Sequence, residues 1–178
     1  MSVKDFVQQR RDDFISMRRD FHMYPEPAWL EYRSAAKVAE KLIALGYDVA
    51  LGAEVLDLDS RMGLPSEDVM KAAMARAMDE GADPELVEKM GYGKTAIVAT
   101  MKFSDDGPVV AFRADMDSND VIESKASNHI PAKAGFRSRH EKAMHACGHD
   151  THMTMGLGLA EYIATHKDGL KGTIKLIF

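Results

Sequence analysis

Four short runs rich in β-branched and apolar residues, at 47–51, 95–101 (TAIVATM), 109–113 (VVAFR) and 172–178 (GTIKLIF), are set apart by stretches with helical spacing of apolar residues. That alternation restricts the chain to the α/β class, with strands gathered in a sheet and helices packed on it. Residues 3–22 read as one amphipathic helix (Val3, Phe6, Val7, Phe14, Ile15, Met17 and Phe21 inward), ended by Pro25 and Pro27. Residues 31–45 repeat the pattern with Ala35, Val38, Ala39, Leu42 and Ile43, and Gly46 stands at the C-cap. Residues 151–166 form a third helix with Asp150 or Thr151 as N-cap. Between the first two strands, 52–92 has a different texture: Pro65-Ser66-Glu67-Asp68 and Asp83-Pro84-Glu85 each start a helix, which predicts a helical insertion. The thirteen methionines, several at helical spacing (Met70, Met74, Met78), read as core filling. The final apolar strand has no polar tail or helix behind it, so the chain reads as interrupted at Phe178, with that strand at a sheet edge.

With 178 residues, 46% of them hydrophobic, the chain is long enough for a sizeable core in one domain. A net charge of −5 without a basic run excludes nucleic acid and anionic membrane as expected partners. Cys147 is the sole cysteine and cannot form an intrachain disulfide, which implies a reducing compartment or a thiol used for chemistry. The start lacks the continuous apolar stretch of a signal peptide, so a cytoplasmic location is expected.

The chemistry concentrates near the third helix. Five of the seven histidines, from His129 to His152, fall within 24 positions around that cysteine. The run His145-Ala146-Cys147-Gly148-His149-Asp150-Thr151-His152 joins a polar, irregular segment (after Asp115, to about Lys142) to the helix. Thiolate and imidazole suit zinc and its first-row neighbours. Cys147 and His149, two apart in an extended segment, project to one side and can meet one metal or a metal pair. Asp150 is placed to orient an imidazole, and His145 and His152 can be ligands, substrate-binding groups or surface residues. Upstream, Asp115 and Asp117 follow a strand's C-terminal end, where α/β sheets place ligands; they can bind metal, hold a ligand or act as bases. Two other patterns fail: His140-Glu141 opens like H-E-x-x-H but Met144 takes the second histidine's place, and Gly93-Lys94-Thr95 lacks the rest of a phosphate loop.

Three ordered motifs carry a resemblance. Arg18-Arg19-Asp20-Phe21-His22-Met23-Tyr24-Pro25-Glu26 with Glu31, Arg113-Ala114-Asp115-Met116-Asp117, and His145 to His152 resemble the R-R-x-x-H-x-x-P-E…E, R-A-D-M-D and H-A-C-G-H-D-x-H motifs of the M20 metallopeptidases, subfamily D. Within that amidohydrolase group the chain is similar to the aminobenzoyl-glutamate hydrolase branch. Where the family continues R-A-D-M-D with A-L-P, this sequence has Ser118-Asn119-Asp120.

The resemblance implies a helix-sheet-helix sandwich of the zinc-peptidase type. Residues 1–178 would be the N-terminal part of its catalytic domain, with the insertion at about 52–92 and with the lid domain and C-terminal part absent. It implies a divalent metal pair, zinc or manganese, with Cys147 and His149 as ligands and Asp115, Asp117, Asp150, His145 and His152 supporting them or the substrate. The family's general-base glutamate follows the last strand, so no catalytic residue is expected in this chain, and weak or partial metal occupancy is. The implied activity is hydrolysis of N-acyl or N-aroyl amino acids, with p-aminobenzoyl-glutamate favoured, by metal-activated water. A homo-oligomer or a second hydrolase subunit is the expected protein partner. The competing expectation is a truncated, non-catalytic metal-binding or interaction module.

Overall fold

The computed structural model describes residues 1–178. The element order is α1 (Val3–Gln9), α2 (Arg11–Met23), α3 (Tyr32–Ala44), β1 (Asp48–Leu51), α4 (Glu67–Asp79), α5 (Pro84–Met90), β2 (Ile97–Lys102), β3 (Val109–Arg113), α6 (Ile130–Lys133), α7 (His149–Thr165) and β4 (Thr173–Ile177), with two 3₁₀ turns at Gly52–Glu54 and Leu58–Ser60. The predicted first helix is two helices. The chain leaves helical geometry at Arg10, whose guanidinium reaches across to Glu161 of α7 at 2.7 Å.

The strands form one sheet in the order β1-β2-β4-β3, antiparallel except for the parallel β3–β4 pair. β4 therefore lies inside the sheet, which corrects the expectation of an edge. The register matches each of its residues to partners on both sides, Leu176 to Ala99 and Phe112, and Lys175 to Thr100 and Ala111. The outer strand on that side is β3, where Val109 and Val110 are 68% and 52% exposed.

Alternation along the strands separates two faces. Leu51, Ile97, Ala99 and Leu176 belong to the buried core, and Val49, Met101, Phe112 and Ile174 pack against it. Residues on the opposite face, such as Ala50, Val98, Lys175 and Ala111, take no part in that core. The class is α/β as expected, and the helices of these residues form one layer of the sandwich. α7 docks closely because Gly156 leaves room for the Phe178 ring, which a Cβ there would meet at 2.7 Å. α3 ends in a Schellman motif, with Gly46 at φ 82° and Tyr47 N–H donating to Leu42 O. Residues 52–92 carry α4 and α5, which pack on the outside of α3.

Candidate metal centre

α7 starts at His149, two residues before the expected position, because Gly148 serves as N-cap at φ 95°, a conformation that glycine adopts without steric cost. The first turn therefore holds His149, Asp150 and His152. Asp115 and Asp117 leave the C-terminal end of β3 opposite this helix end. One donor atom each from Asp115, His149 and His152 lies within 4.8 Å of the other two.

Asp115 and His149 are held in place by their neighbours. Asp117 accepts at its carbonyl oxygen (2.8 Å) and at Oδ1 (2.9 Å) from His149 Nδ1, which fixes the proton there and leaves the Nε2 lone pair free. Arg113 donates through Nε and Nη2 to Asp115 Oδ1, at 2.8 and 2.7 Å, so Oδ2 remains available 3.9 Å from His152 Nδ1. The His149 and His152 rings are tilted neighbours with centroids 4.9 Å apart.

Cys147 is exposed and stands outside that three-residue group; its N–H donates to Asn119 Oδ1. His145 is buried, and neither ring nitrogen has a partner. Burial pushes its pKa down to about 4, so the ring is neutral, the form that binds metal. Ser118 Oγ is a second buried, unpartnered group. The antiparallel bridge between Asn119 and Met144 places Ser118 directly across from His145. Asp150, expected to orient an imidazole, does so for a different one.

That imidazole is His22, whose contribution the sequence does not reveal. His22 Nδ1 is 2.7 Å from Asp150 Oδ2, and Nε2 is 3.0 Å from Glu123 Oε1. Carboxylates at both nitrogens require both to carry protons. Burial lowers the His22 pKa, and the bonds to Asp150 and Glu123 outweigh it, leaving a net rise. Burial likewise raises both acids, but their bonds to His22, with His129 at Glu123 and Arg18 beside Asp150, bring each below the usual carboxylate range. Arg18 Nε lies 3.0 Å from Asp150, and His129 Nε2 2.8 Å from Glu123. This charged row ties the end of α2 and the polar segment to the first turn of α7. Glu123 could not be read from spacing, since it is one carboxylate in an irregular stretch. Glu26 was legible only as a motif residue. It caps α3 from outside, accepting from Arg33 N–H at 3.0 Å and Ser34 N–H at 2.8 Å.

Two imidazoles and a carboxylate, with the unpartnered ring of His145 nearby, suit a divalent first-row ion. The donor set is partial: three groups fall short of what a metal pair requires.

Residues 111–178 match the model of peptidase family M20/M25/M40. The chain is 44% identical over 176 residues to an indole-3-acetyl-aspartic acid hydrolase of Enterobacter agglomerans, covering 99% of this chain and 40% of that protein. It is 45% identical over 177 residues to one of the p-aminobenzoyl-glutamate hydrolase subunits of Escherichia coli K12, covering 99% of this chain and 41% of the relative. Among solved structures, an aminobenzoyl-glutamate utilization protein from Klebsiella pneumoniae superposes with a TM-score of 0.81 at 36% identity, over 100% of this chain and 38% of that one. The Bacillus subtilis YXEP protein, described as a dinuclear metal binding peptidase from the M20 family, gives 0.61 at 28% identity, over 98% and 35%. The chain thus spans about two fifths of the length of these two curated relatives. The end of β3, the metal-centre segment and α7 lie inside the match to the M20/M25/M40 model, and a structure described as an M20-family peptidase superposes over 98% of the chain, so the chain is similar to peptidase family M20 along nearly its whole length.

Proposed function

We propose that this chain is the N-terminal portion, with an accessory insertion at 52–92, of a cytoplasmic metal-dependent amidohydrolase that cleaves the amide between an aromatic acyl group and an acidic amino acid. The observation that carries this reading is the cluster of Asp115, His149 and His152 at the junction of β3 and α7. Two relatives named for an aroyl- or arylacetyl-amino acid support the substrate class. A bound divalent ion polarises a carbonyl and lowers the pKa of water to about 7. His149 Nε2, His152 and Asp115 Oδ2 would hold it, with Cys147 joining from the rim and Asp117 fixing the His149 tautomer. Asp117, the carboxylate beside the cluster, is engaged by His149, and Asp115 within it is paired with Arg113 through Oδ1 and would give Oδ2 to the ion. The Escherichia coli relative is named as one part of a hydrolase built from more than one chain, which supports a second hydrolase chain, or another copy of this one, as partner.

The test compares the 178-residue chain with a version extended to the relatives' length, each with zinc or manganese, on N-aroyl and N-acyl amino acids. Hydrolysis by the extended version and little or none by the chain alone is expected. Failure of the extended version on every N-acyl amino acid overturns the enzymatic reading. The partial donor set favours one alternative, a non-catalytic metal-binding module, which that failure together with His149-dependent metal binding would establish.

A further inference from the structure

Trp29 is the one non-glycine residue with positive φ, at 69°. It sits third in the turn from Pro27 to Leu30, closed by Leu30 N–H donating to Pro27 O at 3.0 Å, where glycine is the residue that fits without strain. A bulky side chain in this conformation is strained, and such strain concentrates at functional sites. The indole is partly exposed, and its Nε1–H donates to Met62 O at 2.9 Å. Met62 is 83% exposed, and Leu64 and Tyr92 continue the apolar surface. Arg61 fastens the 58–64 segment by donating from Nη1 to Tyr92 O and Gly93 O at 2.9 and 3.1 Å.

This surface lies at the end of the sheet that carries the metal centre. Pro27 forms a bridge with Ser118, the residue after Asp117, so the Cα of Trp29 is at most about 13 Å from that of Ser118. The sheet register agrees: residues 92–95 lead into the start of β2, which pairs with the end of β4, and the end of β3 lies beside it, leading to Asp115.

We propose that Trp29, backed by Met62, is the specificity-determining platform on which the aromatic acyl group of the substrate stacks. This rests on the functional reading above and goes beyond it by naming the residue that selects an aroyl over a small acyl group. Aromatic packing of this kind adds to the gain from buried area.

Trp29 is the only tryptophan, so its fluorescence reports directly on the site. The zinc-supplemented 178-residue chain is titrated with N-benzoyl-glutamate and N-acetyl-glutamate, by calorimetry and by Trp29 emission. A saturable emission change with the benzoyl compound alone is expected. Trp29→Ala should weaken benzoyl binding about tenfold without altering acetyl binding, while Trp29→Phe, which keeps a ring and loses the Met62 bond, stays within about threefold. If Trp29→Phe loses as much as Trp29→Ala, the indole is only a clasp for the 58–64 segment and the proposal falls. Calorimetric binding of N-benzoyl-glutamate with unchanged emission and an indifferent Trp29→Ala also overturns it, leaving the functional reading intact. If neither compound binds the 178-residue chain at millimolar concentration, the platform falls, while the functional reading stands or falls on the extended version.

Discussion

Glu31 shows how one buried carboxyl can govern the molecule's response to pH. Burial is the main cause of its rise from 4.5 to about 7, against the opposing hydrogen bond from the Thr95 hydroxyl at 2.8 Å. A carboxyl whose folded pKa is raised contributes stability that is full below pH 4.5 and is lost as pH rises through about 7. Glu31→Gln keeps the shape and the Thr95 bond while removing the charge. Denaturant melts should show the variant more stable than the parent at pH 8, by up to about 3 kcal/mol, and no different at pH 4. Glu31 was legible as part of a motif, but its protonation follows from the closure of α3 and residues 93–95 over it. The same holds for His22, whose charge depends on two acids 101 and 128 residues away in sequence.

Among the elements, the strands and the helices α3, α4 and α5 were legible within one to three residues because their apolar periods and caps are local. What escaped was set by distant contacts. The Arg10 break was hidden because the apolar stripe of α1 continues into α2, and the place of β4 between β2 and β3 is set by pairing with strands far away in sequence. The start of α7 was misplaced because Gly148, rather than Asp150 or Thr151, is the cap. At Gly148 a Cβ meets nothing within 4 Å, so the penalty of a side chain there is conformational alone. Gly148→Ala should cost about 1 kcal/mol, lower Tm by about 2–4 °C and weaken zinc binding, since His149 follows directly. An unchanged Tm and zinc isotherm would show that α7 does not depend on this cap.

At the scale of the whole molecule, the helices cover one face of the sheet, and β3 presents its outer edge with Val109 and Val110 exposed. Unpaired strand edges of this kind template association. The 178-residue chain should therefore self-associate as concentration rises, and Val109→Lys should shift it toward monomer in sedimentation velocity. No helix is long and apolar enough to cross a membrane. The open apolar groove of about 550 Å³ between α1 and α7, lined by Phe6, Phe14 and Tyr162, shares no residue with the Asp115, His149 and His152 cluster. That cluster was legible as a concentration of donors between His145 and His152. Its membership was not, because Asp115 and His152 are brought to His149 by the pairing of β3 with β4 and by the first turn of α7. The cluster should bind a divalent ion through His149, which zinc calorimetry on the chain and on His149→Ala reads out. Binding of up to one equivalent by the parent, abolished in the variant, is the predicted result; no binding, or binding indifferent to His149→Ala, would contradict it.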